Sequence, residues 1–283
     1  MKPLLSFTLA GIFALCLVSC KKANTSATPS NIDALQTFTD SLLCQKLMEK
    51  EAEWGCVILM GVKSGEVIVL SNFDRNEDGT YSVQKNHAEE SMDPGSVIQT
   101  YRLMCWIDEG RARLNDTCTE DLMVARRFGR DITVRQAFAS GTLLNTDTLS
   151  HTPLEIVRFY NRLANGNELV EQKICGEPAL RDIKSALHDV VWDNEYGTAS
   201  IDPWGVRKAQ SDIVHIVGKT GTVRVYKDDN RKHRISFAGY FPEEAPEYTC
   251  LCIINCPKSY YDAGTDCGAL VRKIAEHIYS SEQ

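Results

Sequence analysis

Three short stretches hold residue types that could act together. In DPGSVIQ, residues 93–99, Ser96 follows a Pro-Gly turn, and the residues after it continue as a helix, so the serine opens a first helical turn. A hydroxyl placed there is a nucleophile with its own backbone N–H at the positive end of a helix, where negative charge is stabilised. The side chain three positions on lies one turn along the same face, which is where a proton acceptor would be needed. That residue is Gln99, and a carboxamide does not accept a proton near neutral pH. In GKTGT, residues 218–222, strand geometry puts Lys219 and Gly221 on one face, and the missing side chain at 221 leaves room for a ligand alongside. Ser140-Gly141-Thr142 supplies a further hydroxyl between the two.

The elements that must position these residues follow from periodicity. Leu35, Phe38, Leu42, Leu43 and Leu47 make one apolar stripe on a helix over residues 32–53. GCVILMGV and GEVIVLSN, separated by Lys63-Ser64, predict a tight hairpin, and residues 72–92 are polar and loop-like. From Ser96 to about residue 190 the pattern is helical. One start is sharp: Thr152 as N-cap, Pro153 at the first helical position and Glu155 three residues after the cap open a helix that ends at Asn165-Gly166. Strand character returns at DIVHIVGKTGTVRVY, ISFAGYFP and YTCLCIINCP, and Leu270, Val271, Ile274 and Ile278 line one face of a last helix. This order predicts an α/β (α+β) chain with a single antiparallel sheet of five strands. Terminal helices flank the sheet and an all-helical subdomain is inserted over about 96–204.

Length and charge narrow the function. The chain has 283 residues and a net charge of −7, which suits one domain plus a leader and argues against nucleic acid, whose backbone calls for a basic footprint. Arg126, Arg127 and Arg130, and the run Arg231-Lys232-His233-Arg234, read as solvated faces. MKPLLSFTLAGIFALCLVSC, residues 1–20, has a basic start, an apolar run and a small residue before Cys20, so it reads as an export signal. Residues 21–31 read as a flexible tether. Nine cysteines remain after Cys16 and Cys20, an odd number that leaves at least one thiol free or paired with another molecule. Cys250 and Cys252 sit in an apolar run and read as buried thiols, not metal ligands. No metal or organic cofactor is implied.

Taken together, DPGS, the following helix and GKTGT, whose Lys219 lies 123 residues after Ser96, resemble the transpeptidase domain of penicillin-binding proteins, serine acyltransferases that cross-link peptidoglycan. GCVILMGVKSGEVIVLSN resembles that family's opening hairpin, NHAEESMDPGS its approach to the nucleophile, and TPLEIVRFYNRLANGN its helix after the second motif. The order holds from Ile32 to the C-terminus, so residues 32–283 form one transpeptidase-like domain. Leu17-Val18-Ser19-Cys20 likewise resembles a bacterial lipobox, which would make Cys20 a lipid anchor and place the protein in the bacterial envelope, held to a membrane. The resemblance implies Ser96 as nucleophile, Ser140 as the second-motif serine, and Lys219, Thr220, Gly221 and Thr222 as the substrate-binding set. Within that set, the Thr222 backbone would be an oxyanion donor, and the lysine and hydroxyls would hold the carboxylate of a peptidoglycan stem or a β-lactam. Strand parity turns Thr220 to the face opposite Lys219.

Two departures from the family pattern bear on activity. Gln99 stands where the family's Ser-x-x-Lys motif has its general-base lysine. Arg102 is about 240° round the helix from Ser96, and His215, four strand residues from Lys219, is about 13 Å away, so neither replaces it. Near the second motif, in a stretch running to Asn145, the family's Ser-x-Asn becomes either Ser140-Gly141-Thr142, which keeps the serine and loses the asparagine, or, matched by register, Gly141-Thr142-Leu143, which loses both. His87, where the family often has arginine, reads as a loop residue, and Trp54, Trp106, Trp192 and Trp204 as packing or loop anchors. Two functional readings stay open. One is a pseudoenzyme that binds stem peptides or an envelope protein in the old groove. The other is an active serine DD-transpeptidase or carboxypeptidase, or a β-lactam sensor, acting through Ser96.

Overall fold

A computed structural model describes residues 29–118, 128–143, 150–166, 173–227 and 230–280. Cys20, Arg126, Arg127, Leu144 and Asn145 lie outside the described residues.

The leucine stripe becomes helix α1 (Pro29–Lys50), which starts three residues inside the stretch expected to be tether. Leu43 and Leu47 are its fully buried anchors. The hairpin follows as β1 (Trp54–Gly61) and β2 (Val67–Arg75). Residues 72–92 are more ordered than their polarity suggests. β2 runs on to Arg75, a short strand β3 (Tyr81–Ser82) pairs with its end, and a 3₁₀ turn covers His87–Glu89.

The sheet has six strands rather than five, because β3 adds an outer edge. Its order is β3, β2, β1, then β8 (Tyr248–Asn255), β7 (Asn230–Phe241) and β6 (Val217–Lys227), with every pair antiparallel. The first hairpin and the last three strands thus meet through β1 and β8 in the middle, as expected. Arg231, Lys232, His233 and Arg234 belong to β7 instead of a solvated loop. Lys232 pairs with Glu53, the His233 ring bonds the Tyr261 hydroxyl, and Arg234 lies 5.4 Å from the Trp54 ring.

Alternation along the strands sorts the helices onto two faces. A side chain at Gly55 would run into Leu43 and Leu47 of α1, whereas Thr249, paired with Met60, turns toward Asn161 of α4 (Pro153–Asn165). The α1 face also carries α6 (Ala269–Ser280), entered through a π-helical turn, Gly264–Gly268. Fully buried Asp266 in that turn meets Lys50 at 3.0 Å and Lys46 at 3.5 Å, which fastens α1 to the C-terminal helix. The four apolar residues read onto the last helix are all buried.

The insertion contributes α2 (Gln99–Asp108), α3 (Val134–Ala139), α4 and α5 (Glu177–Trp192). A two-stranded ribbon of β4 (Thr117–Cys118) and β5 (Ile132–Thr133) breaks its helical character. The capping box at Thr152 forms as its sequence predicts, with the Thr152 hydroxyl accepting from the Glu155 N–H and the Glu155 carboxylate accepting from the Thr152 N–H. Gly166 closes the helix at φ 68°, a left-handed position natural to glycine. A second box, Thr133 with Gln136, opens α3 and aims its C-terminal end at the next residues, Ser140–Thr142. All nine cysteines among the described residues are free thiols.

Candidate active site

Ser96 lies in a 3₁₀ turn, Gly95–Ile98, that leads into α2. With three residues per turn, Ser96 and Gln99 eclipse one another. The turn is braced from three sides. The Asp93 carboxylate accepts from the Gly95 N–H at 2.9 Å. Tyr160 of α4 donates its hydroxyl to the Val97 carbonyl at 2.9 Å and shares a 2.7 Å hydrogen bond with Thr100. The third brace is β6. A side chain on Gly95, whose φ is 63°, would sit 2.3 Å from a Val223 methyl, and one on Gly221 would sit 3.1 Å from Val97. These two glycines let the edge strand lie directly against the nucleophile turn.

Ser96 itself is half-buried, and its hydroxyl makes no hydrogen bond among the described residues. Gln99 is 1% exposed, and its amide nitrogen donates to the Leu143 carbonyl at 2.5 Å. The other end of that carboxamide, Oε1, is buried without a hydrogen-bond partner among the described residues. Leaving such an atom unsatisfied costs about 1–3 kcal/mol. The residue under the serine is thus a tether to the second-motif segment.

That segment closes over Lys219. Ser140 and Thr142 are both buried; their hydroxyls lie 2.9 Å apart, and each reaches toward the Ala137 carbonyl. Gly141, at φ 69°, turns the chain so tightly that a side chain there would lie 3.9 Å from the Lys219 amine. Lys219 is fully buried, with its amine 5.2 Å from the centre of the Phe138 ring and 3.3 Å from the Thr220 carbonyl. Burial, with no carboxylate paired to it among the described residues, lowers its pKa from 10.5 to about 7. At neutral pH a substantial fraction of this amine is uncharged.

The residues expected to bind substrate divide between the two faces of β6. Lys219 and Gly221 turn inward to the helical insertion, and a side chain on Gly221 would also press to 2.4 Å of the Ser236 hydroxyl. Thr220 faces the other way and is buried, where its hydroxyl shares a 2.6 Å bond with Thr198; Thr222 is exposed. Thr198 also reaches the Ala139 carbonyl at 3.3 Å, so one threonine spans from the second-motif segment to the third. Arg102 is held on the outer side of α2, 5.8 Å from the Trp106 ring. His215 precedes β6 instead of lying on it and pairs with Glu244.

Sequence reasoning missed several supports. His87, read as a loop residue, is 2% exposed, stacks on Trp54 at 4.0 Å and holds Asp74 and Glu90 at 2.8 Å each. Tyr160 lies on α4 with the buried apolar residues Ile156, Val157 and Leu163, and a buried tyrosine hydroxyl needs a partner, which was the available signal. Trp192 anchors α5 by donating to the Ile216 carbonyl, but Trp204 is 84% exposed and anchors nothing.

A family model described as penicillin binding protein transpeptidase domain matches residues 128–276, more than half of the 283-residue chain. The matched stretch contains Ser140, Lys219 and Thr222, and Ser96 precedes it. No curated protein matches the chain. Among solved structures, the chain is similar to the apo TP domain of Burkholderia pseudomallei penicillin-binding protein 3, with a TM-score of 0.68, 15% identity, and coverage of 89% of this chain and 95% of that one. It is similar to penicillin-binding protein 2X from Streptococcus thermophilus, with a TM-score of 0.73 and 14% identity; 87% of this chain is covered and 51%, about half, of that one. The transpeptidase domain of the FtsI4 D,D-transpeptidase from Legionella pneumophila gives a TM-score of 0.63, 17% identity, and coverage of 91% and 99%. At these identities the structural likeness speaks for the fold, and the family match covers the second and third motif regions. The chain belongs to the penicillin-binding protein transpeptidase domain family.

Proposed function

We propose that this chain is a transpeptidase-family protein of the bacterial envelope whose groove binds a peptidoglycan stem peptide, or an envelope partner in its place, without turnover. The observation that carries this reading is Gln99. The position under Ser96 holds a buried carboxamide tied to Leu143, and no ionisable side chain is hydrogen-bonded to the Ser96 hydroxyl among the described residues. A positioned general base contributes about 10²–10⁴-fold, and losing one member of a nucleophile–base unit disables the others. The covered Lys219 supports the same reading, since a ligand carboxylate reaches its amine only if the Ser140–Leu143 segment moves. The apolar leader ending at Cys20 supports export and lipid attachment.

Labelling with a fluorescent penicillin, with Ser96→Ala run beside wild type, tests the proposal. The expected result is no covalent label on either. Wild-type label that disappears in Ser96→Ala would overturn it. Mass spectrometry of the processed protein tests the anchor: a diacylglyceryl group on Cys20 is expected, and an unmodified N-terminus at another residue would overturn that part.

One observation favours a second reading, slow acylation through Ser96. Lys219 is enclosed in the same site and has a pKa of about 7, so its neutral form could take the serine proton after a shift of the surrounding segment. On this reading the labelling is measurable, and its rate climbs as pH rises through about 7, the value at which that amine loses its proton.

A further inference from the structure

A cluster of donor groups lies away from the cleft, where β6 begins and β7 ends. His215 closes the segment before β6, and Glu243 and Glu244 open the turn after β7. One ligand atom from each of the three residues lies within 4.8 Å of the others. The backbone fixes their spacing, because the Glu243 N–H donates to the His215 carbonyl at 2.9 Å. His215 Nδ1 already faces a Glu244 oxygen at 2.9 Å. Trp192 of α5 packs on the His215 ring at 4.7 Å and donates its indole N–H to the next carbonyl, Ile216, so the imidazole is held from behind.

A fourth side chain acts on this group. His188, also on α5, meets both oxygens of Glu243 at 2.9 and 3.0 Å and so sets the direction of that carboxylate. Carboxylates that ligate metal ions are themselves held by outer hydrogen bonds, and His188 supplies one to Glu243. The cluster is open to water: His215 is 51% exposed and Glu244 67%, so a hydrated ion can arrive without opening the fold.

We propose that His215, Glu243 and Glu244 bind a divalent transition-metal ion of the Zn²⁺ type, with His188 positioning Glu243. One imidazole and two carboxylates form a borderline donor set with two negative charges, which favours Zn²⁺ over Mg²⁺ or Ca²⁺; those ions take oxygen ligands. Three protein ligands leave the fourth tetrahedral position to water. The bound ion joins the start of β6 to the β7–β8 turn and, through His188, to α5. It would therefore pin the root of the strand that carries Lys219. This site is independent of the pseudoenzyme reading, which stands or falls on Ser96.

Calorimetric titration of the untagged, chelator-stripped full chain with ZnCl₂ tests the site. One ion per chain is expected, with a higher melting temperature in its presence. His215→Ala and Glu244→Gln change exposed side chains, so both variants should fold, and each should weaken binding by at least about tenfold. His188→Ala should weaken it by about tenfold and keep one ion per chain. Co²⁺ in place of Zn²⁺ should give visible bands without thiolate-to-cobalt absorption. The proposal fails if wild type shows no saturable binding, if the His215→Ala/Glu244→Gln double variant binds as well as wild type, or if the thiolate band shows that cysteines hold the ion.

Discussion

The Gln99 carboxamide and the Leu143 carbonyl are joined by a 2.5 Å hydrogen bond that links the nucleophile turn to the second-motif segment. In a Ser-x-x-Lys arrangement the same position would hold an amine directed at the serine. Here the carboxamide nitrogen is bonded to Leu143, and its oxygen is buried without a hydrogen-bond partner among the described residues. The position therefore differs from that motif in two ways: it holds no amine, and its side chain is a strut to Leu143.

Gln99→Lys should place an amine under Ser96 and remove the strut. The new amine would lie one turn from Ser96 in a buried site, where desolvation favours its neutral form. The expected outcome is measurable penicillin labelling where wild type shows none, slower than the full 10²–10⁴-fold contribution of a placed base would allow, and lost again in Ser96→Ala/Gln99→Lys. A folded but inert Gln99→Lys protein would place the defect in the Ser140–Leu143 segment instead.

Lys219 makes the stability of the protein depend on pH in a defined direction. Below about pH 7 the folded and unfolded states both hold the proton, and the penalty of burying the cation is fully present. Between about 7 and 10.5 only the unfolded state holds it, so stability increases with pH and the penalty fades. The lowered pKa corresponds to a ceiling of roughly 5 kcal/mol. Lys219→Met should therefore stabilise the fold by about 2–4 kcal/mol at pH 6 and by almost nothing at pH 10.5. Urea unfolding at the two pH values measures this, and an equal effect at both would refute the assignment.

Much of the scaffold was legible in the sequence because it rests on local rules. The Thr152–Glu155 box, the leucine stripe of α1 and the apolar runs of β1 and β8 each declare themselves within a dozen residues. The polar end of β2 and the basic start of β7 were missed, since these strand ends carry polar and charged residues in place of the apolar ones that mark a strand. In the site, the order of Ser96, Ser140 and Lys219 was readable. Their surroundings were not: the partner of Gln99, the burial of His87 against Trp54 and the cover over Lys219 all depend on residues distant in sequence.

Gly221 marks how closely β6 approaches the nucleophile turn. A methyl group there would meet the Ser236 hydroxyl at 2.4 Å and Val97 at 3.1 Å. Gly221→Ala should destabilise the protein by about 1–3 kcal/mol, the usual range for overpacking. Most of the strain comes from the hydroxyl, so Gly221→Ala/Ser236→Ala should recover at least half of the loss. Thermal unfolding of both variants decides it; a double variant as unstable as the sum of its parts would mean that the conflict lies with Val97.

The thiols give a last prediction. All nine are free; Cys44, Cys105 and Cys118 are partly accessible, and the other six are buried. Burial pushes the Cys56, Cys250 and Cys267 thiols far up and the Cys175 thiol up to about 12, so these react slowly in the folded state. In the processed chain, a thiol reagent should count no more than four groups quickly, the fourth being Cys20 if its sulfur carries no lipid. After unfolding without reductant it should count the nine, or ten with an unmodified Cys20. Adding reductant should leave the unfolded count unchanged. A count that rises by two for each bridge opened would show disulfides, and with them a chain held together by more than its packing.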